Sequence, residues 1–542
     1  MRTNAVACAE PYGADAARAI FIKGGNAVDA AVAAAFAQCV SNPLGVGIGG
    51  TGMMHVYDGA KKECIIVDGS VTIPSGAKPD IFLDRLLEGR GGTTGRYPVR
   101  GHPNQYGYQS VMTPGFVSGA ATAFERFGSG LVTWADVLEP AIELAIEGFN
   151  VYPYLAEYYV FEPSNVPNGL NFGERMAAFP QAAELVLKDG RPYRVGERMV
   201  FNDLGRTLQI IAQDGADAFY TGEVGQAIAA DFEANDGFIK ADDLRDYQPR
   251  LLSPLRGTYR GYEYFTSRPP ARGLALITML NILEAYDLAQ VGWNTPGYVE
   301  LLARVQRRSF IEVSHFLMDP KRSDATLERL ASKQHAAQLR DEIEQGTDPL
   351  TLAPDRILHS EHTTHVTTAD ERGNIVAFTH STGSAGASCV VTPGLGFLYN
   401  NFLGHFNPRP GFGNSIAPGK RGGGGIPTIM FKEGRPFLAI GSSGGSRLIS
   451  GVMQTIVNVI DHGMEIAEAI AVPRFHCEEG HTIYAGPELF RAVVAEVEDR
   501  GFEVQSSTYM GCNQGIMFDV RSRGLRAGTD PRGGRGIAYW PE

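Results

Sequence analysis

Thr363 opens the segment TTHVTTADERGNIVAFTH, and its type and position could do chemistry. A threonine whose own amine is free carries a nucleophilic hydroxyl and a base in one residue. Cutting between His362 and Thr363 would create that pairing. HVTTAD and NIVAFTH are rich in Val, Thr, Ile and Phe and predict two strands, with ERGN as their turn. A nucleophile at the head of a buried hairpin is held rigidly, as catalysis requires.

Two other sets of residues compete. Gly441-Ser442-Ser443-Gly444-Gly445 matches G-x-S-x-G, with Ser443 in the nucleophile position. It lies between RPFLAIG, a predicted strand, and SRLISGVMQTIVNVIDHG, a predicted helix, which is the setting of a hydrolase elbow. Asp461, His462, His476 and His481 follow and would suit a triad. The same turn can instead be an oxyanion hole, with the N–H groups of Gly444 and Gly445 at a helix N-terminus. The second set, His359, His362 and His365, recurs every third residue like a ligand cluster. HSEHTTH does not read as helical and no cysteine pair completes a site, so neither metal nor cofactor is expected.

The elements that must position these residues are partly legible. Residues 14–39 predict two helices broken at Gly24-Gly25, the second nearly all small apolar side chains and therefore buried. A glycine-rich loop follows, with Gly45, Gly47 and Gly50 at the dinucleotide-fingerprint spacing. A helix precedes it and a strand follows, the reverse of the dinucleotide context, so a tight loop beside a pocket is expected. Residues 115–150, 200–235 and 273–345 read as helical, and PLRGTYRGYEYFTSRPP as two strands. EQGTDPLTLAPDRILHSEH predicts an exposed linker into Thr363. Strands and helices mix without strict βαβ alternation, which predicts an α+β fold.

Composition sets outer limits. The chain has 542 residues, 44% hydrophobic and 20% charged, enough for one large core or two. Its net charge of −12, with no basic cluster, argues against nucleic acid and anionic membrane partners. No apolar run approaches the ~18 residues of a membrane span. No secretory signal stands at Met1, and the six cysteines are scattered without CxxC spacing, so a cytoplasmic protein with free thiols is expected.

Taken together, GGNAVDAAVAAAF, IGGTGMMHVYDG, TPGFVSGAATAFERFG, GFIKADDLRDY, PLRGTYRGYE, TTHVTTADERGNIVAFT, YNN, GSSGGSR and GTDPRG resemble the gamma-glutamyltranspeptidase family of N-terminal-nucleophile hydrolases, across nearly the whole chain. The resemblance implies a four-layer αββα sandwich. It implies self-cleavage into a large segment, 1–362, and a small one, 363–542, sharing one core. Thr363 would be the nucleophile, Ser381 its supporting hydroxyl, and Gly444 and Gly445 the oxyanion hole. The substrate would be a small-molecule amide, and water or an amine the acceptor.

The same resemblance marks departures at the substrate positions. Ser70 stands where the family has an arginine for the α-carboxylate. Asn401 closes the YNN motif, but Phe402 and His405 occupy the places of the polar and acidic residues that hold the α-amine. Gly383 replaces an asparagine, and glycines at 422–425, including Gly423 and Gly424, replace paired serines. A zwitterion buried without those partners would be badly paired. The expected enzyme is therefore an amidohydrolase or acyltransferase with a donor diverged from γ-glutamyl. His380, His405, Arg409 and Arg421 are candidates to meet an acyl carboxylate. The alternatives are a γ-glutamyl enzyme on glutathione-like donors, a serine hydrolase using Ser443, and an uncleaved non-catalytic paralogue.

Overall fold

The computed structural model describes residues 4–88, 97–160, 170–352, 362–489, 491–519 and 524–540. The fold is α+β and is built on two large sheets. The first runs Gly536–Trp540, Asn4–Cys8, His362–Ala369, Ile375–Gly383, Thr51–Asp58, Glu63–Gly69, Arg250–Leu252, all neighbours antiparallel. The second runs Leu255–Tyr259, Tyr262–Thr266, Thr428–Lys432, Arg435–Ser443, Cys512–Phe518, Leu525–Thr529. The expected hairpin is therefore present, with Ile375–Gly383 folding back on His362–Ala369, and every residue of both strands is buried. The N-terminal strand Asn4–Cys8, which carries no strong strand pattern, lies against the hairpin's other edge.

The two sheets face each other through the 362–369, 375–383, 435–443 and 512–518 strands. Tyr57, Ile375, Ala377, Ile429, Phe431 and Ala439 pack between them, as do Ala5, Ala7, Ala369, Ile516 and Ala527. Strand alternation then sorts the hairpin's side chains. His365 and Thr367 point to the second sheet, and a Cβ at Gly441 would overlap the His365 ring. Thr364 and Thr368 point the other way, to Glu10 and the start of helix Ala27–Ser41.

That helix covers the first sheet. Asn26 caps it in a reciprocal box with Asp29, and all fifteen of its residues are buried. The break before it lies between Pro11–Ile22 and Ala27–Ser41, as the Gly24-Gly25 pair predicts. Helices Gly273–Leu283, Arg447–Ile460 and Ile466–Ala471 cover the second sheet. Of the expected linker, residues 353–361 lie outside the described residues, and its first residues end helix Lys333–Gln345.

Candidate active site

Thr363 lies where the hairpin's register slips. His362 pairs with Gly383 and Thr364 with His380, so two residues of the partner strand, Ser381 and Thr382, stand opposite Thr363. The bulge therefore belongs to the partner strand and interrupts the ladder beside Thr363. Thr363 lines a cavity of about 60 Å³ with Tyr154, Glu157, Tyr158, His362, Ser443 and Tyr509. Burial pushes the Glu157 carboxyl above its usual range and the Tyr158 phenol well above its own.

Ser381 stands across the ladder. Its hydroxyl donates to the His362 carbonyl oxygen at 2.5 Å, and the Gly383 N–H donates to the Ser381 oxygen at 3.0 Å. The acceptor is the carbonyl of the peptide bond that precedes Thr363. Gly383 has φ +117°, and a Cβ there would run into the Asn401 side-chain oxygen. Asn401 itself is committed to the loop: its amide donates to Ser384 Oγ at 2.7 Å and to the Gln105 carbonyl at 3.0 Å. The loop at Gly45, Gly47 and Gly50 packs directly on this strand, since a Cβ on Gly50 would collide with the Ser381 carbonyl.

Behind Thr363 sits a buried polar network that the sequence did not single out. Thr364 Oγ1 donates to both oxygens of Glu10, at 2.7 and 2.9 Å. Gln38 donates to Glu10 at 2.5 Å, and its side-chain oxygen accepts from His380 Nε2 at 3.0 Å. Asn42 donates to Glu10 at 2.8 Å and to the Tyr158 hydroxyl at 3.2 Å. Burial raises the Glu10 carboxyl, and its hydrogen bonds to Asn42, Thr364 and Gln38 offset part of that rise. Burial also depresses His55, His365 and His380 to about 3, so all three rings are neutral at ordinary pH.

Ser443 ends strand Arg435–Ser443, and Gly444 and Gly445 turn the chain into helix Arg447–Ile460 with φ +118° and +63°. A Cβ on Gly444 would come within 2.7 Å of the Gly511 backbone. The strand–turn–helix expected for a serine elbow is thus present, beside Thr363. Its triad partners are engaged elsewhere. His476 bonds to Ser450 at 2.8 Å and contacts Ser446 at 3.4 Å; Asp461 accepts from Tyr259 and Arg260. His462 and His481 pack edge-on against Tyr298 and Phe502. The histidine cluster is not assembled either. His365 faces Thr367 and Thr379 in the sheet interior, His362 lies by Tyr158, and His359 is outside the described residues. Among the described residues no three His, Cys, Asp or Glu side chains stand together as a metal site. The six cysteines are free, and no described helix is long and apolar enough to cross a membrane.

A larger cavity, about 340 Å³, lies across the 375–383 and 51–58 strands from Thr363. Thr51 pairs with Ser381, and a Cβ on Gly423 would come within 2.9 Å of the Thr51 side chain. Phe402, His405, Gly423 and Gly424 all line this cavity, so four of the predicted substrate residues come together. Ser70 does not line it; its hydroxyl turns to Asp68. Arg421 lines it and reaches the Ser70 carbonyl at 3.3 Å. His380 and Arg409 are elsewhere. His380 faces the helix layer by strand alternation, and Arg409 lies over Tyr97. Arg250, Arg272, Arg322 and Lys420 also line the cavity, and none was foreseen.

Comparison with known proteins places this geometry. Acylase ACY 1 proenzyme of Pseudomonas sp. (strain SE83) is 36% identical over 475 residues, covering 87% of this chain and 82% of its own. Glutathione hydrolase proenzyme of Escherichia coli (strain K12) is 30% identical, covering 95% and 87%. The crystal structure of cephalosporin acylase from Bacillus halodurans superposes with a TM-score of 0.87 at 27% identity, covering 100% of this chain and 96% of that one. The family model described as gamma-glutamyltranspeptidase matches residues 13–540, so nearly every strand and loop described above falls within it, and the chain belongs to that family.

Proposed function

We propose that this enzyme is a self-processing N-terminal-threonine amidohydrolase or acyltransferase whose donor has diverged from γ-glutamyl. The observation that carries this reading is the Ser381 hydroxyl on the His362 carbonyl, the peptide that precedes Thr363. A donor on that oxygen favours the charge that develops when a nucleophile attacks the carbonyl carbon. The Thr363 hydroxyl would attack the preceding peptide, and hydrolysis of the resulting ester would release segments 1–362 and 363–542. The two facing sheets with helices outside them support an αββα sandwich as their shared core.

Once free, the Thr363 amine takes the proton of its own hydroxyl, which attacks the substrate amide. The N–H groups of Gly444 and Gly445, at the mouth of helix Arg447–Ile460, receive the tetrahedral oxyanion. The amine product leaves, and water or an acceptor amine resolves the acyl-threonine. The names of the relatives, a glutathione hydrolase and acylases, support this reaction class and leave the donor open. Ser70, Phe402 and His405 at the substrate positions support a donor other than γ-glutamyl.

Intact mass under denaturing conditions tests the proposal, with Thr363→Ala alongside. Two fragments, the smaller beginning at Thr363 and absent from the variant, are the expected result. An intact wild-type chain with Thr363-independent turnover would overturn it.

A further inference from the structure

We infer that Glu478 is a positioning residue for the reaction proposed above: through the Ser446 hydroxyl it holds the Gly444-Gly445 turn in the orientation that receives the oxyanion. The inference rests on that reading for the role of the two glycines, and on the contacts of Glu478 for its own. A serine at a helix start ordinarily turns its oxygen back to accept from the first-turn N–H groups. Ser446 stands at the start of helix Arg447–Ile460 and makes no such bond. Its hydroxyl leaves the helix and donates to Glu478 Oε2 at 2.8 Å. The residue that follows the two glycines is thus tied to a carboxylate 32 positions further along the chain.

The turn needs such a tie. Two successive glycines at positive φ bring backbone N–H groups close to a ligand, but their conformational freedom does not fix where those groups point. Before them the chain is held by the ladder, where Ser443 pairs with Cys512. After them it is held by side chains. Ser446 reaches Glu478, and Arg447 donates to the carbonyl of Tyr509, a wall of the Thr363 cavity, at 2.8 Å. Glu478 is itself well placed to act as a post. It follows strand Phe475–His476, and His476 bonds through Nδ1 to Ser450 Oγ on the same helix at 2.8 Å. The Cys477 N–H between them donates to Gln306 at 3.0 Å. A bare carboxylate behind an oxyanion site would oppose the charge that develops there. Arg272, 3% exposed, stands 3.4 Å from Glu478 Oε1 and offsets it, while Oε2 meets the serine.

Hydrolysis of p-nitrophenyl acetate, less the rate of Thr363→Ala, reads the site with a minimal acyl group. Glu478→Ala should lower kcat about 10²-fold, the scale of a displaced catalytic group, and leave KM within about threefold. Glu478→Gln keeps an oxygen for the Ser446 hydroxyl and should retain kcat within about fivefold, the scale of one hydrogen bond. Ser446→Ala should match Glu478→Ala, and the double variant should fall no further than either. Self-cleavage, for which Ser381 is the proposed donor, should keep its wild-type rate in all of these variants by time-resolved intact mass. Effects at 446 and 478 that multiply, a change confined to KM, or loss of self-cleavage together with turnover overturns the inference. Gly444→Ala separates it from the reading beneath. If that variant keeps its kcat, the oxyanion donors lie elsewhere and both fall. If it loses kcat while Glu478→Ala retains it, the positioning role alone fails.

Discussion

Ser381 and His362 sit on adjacent strands, and the serine hydroxyl donates to the histidine carbonyl oxygen at 2.5 Å, one bond from Thr363. Ser381 thus bonds to the peptide that precedes Thr363, where the proposed cut falls. Ser381→Ala should slow self-cleavage by about 10²–10³, the cost of one lost oxyanion donor. Ser381→Thr should keep most of the rate. The appearance of the fragment beginning at Thr363, followed by time-resolved mass, decides this; an alanine variant that cleaves at the wild-type rate would remove Ser381 from the chemistry.

Gly444 separates oxyanion binding from folding less cleanly. Its φ of +118° and its closeness to Gly511 leave no room for a methyl group. Gly444→Ala should cost about 1–3 kcal/mol of stability as backbone strain. Because the turn is displaced, kcat should also fall by about 10²–10³. Steady-state kinetics on protein shown to be folded by circular dichroism tests this, and a kcat within tenfold of wild type would place the oxyanion donors elsewhere.

The buried histidines make the fold acid-sensitive. His55, His365 and His380 titrate near 3 when folded and near 6.5 when unfolded. The unfolded chain therefore binds more protons between those values, and stability falls as pH drops from 6.5 toward 3. Each ring contributes about 2 kcal/mol of that loss by pH 5. Urea midpoints from pH 7.5 to 4.5 should slope down, less steeply for His380→Gln. Equal slopes would mean that His380 is not buried as a neutral ring.

Glu10 works with the opposite sign. Its carboxyl is raised in the folded protein, so the folded state holds the proton longer than the unfolded one. Its contribution is therefore favourable at low pH and is lost as pH rises above the usual carboxylate range. The stability of Glu10→Gln relative to wild type should improve as pH increases from about 4 to 8. A difference that stays flat with pH would show that Glu10 is fully ionised at no cost.

Local features were legible because they are written in contiguous residues. The hairpin, the Gly24-Gly25 break, the tight glycine loop and the strand–turn–helix at 435–460 follow from periodicity and turn chemistry, and the structure has all four. The elbow pattern at Ser443 was legible but ambiguous, because a glycine turn before a helix suits a nucleophile and an oxyanion hole equally. What escaped is assembled across the fold. Arg250, Arg272, Arg322 and Lys420 share one cavity although they span 170 positions, and no spacing rule joins them. Glu10 belongs to no local pattern that marks it, and it is buried because strand Asn4–Cys8 leads it into the core. His380 and Arg409 were reasonable anion partners by type, but strand alternation and a neighbouring tyrosine direct them away.

The sheet order also sets a direction in time. Strand Asn4–Cys8 lies between Gly536–Trp540 and His362–Ala369, so the two segments of the proposed cut are interleaved, N-terminal strand between C-terminal ones. A cut at residue 363 leaves the ladder in place, yet it changes what unfolding means. Before the cut, a molten molecule can fold again by itself. Afterwards two separate chains would have to find each other and rethread, each exposing bare strand edges. The mature enzyme would then hold its form as a kinetic trap rather than an equilibrium, and its lifetime would be set by how slowly that woven sheet first opens.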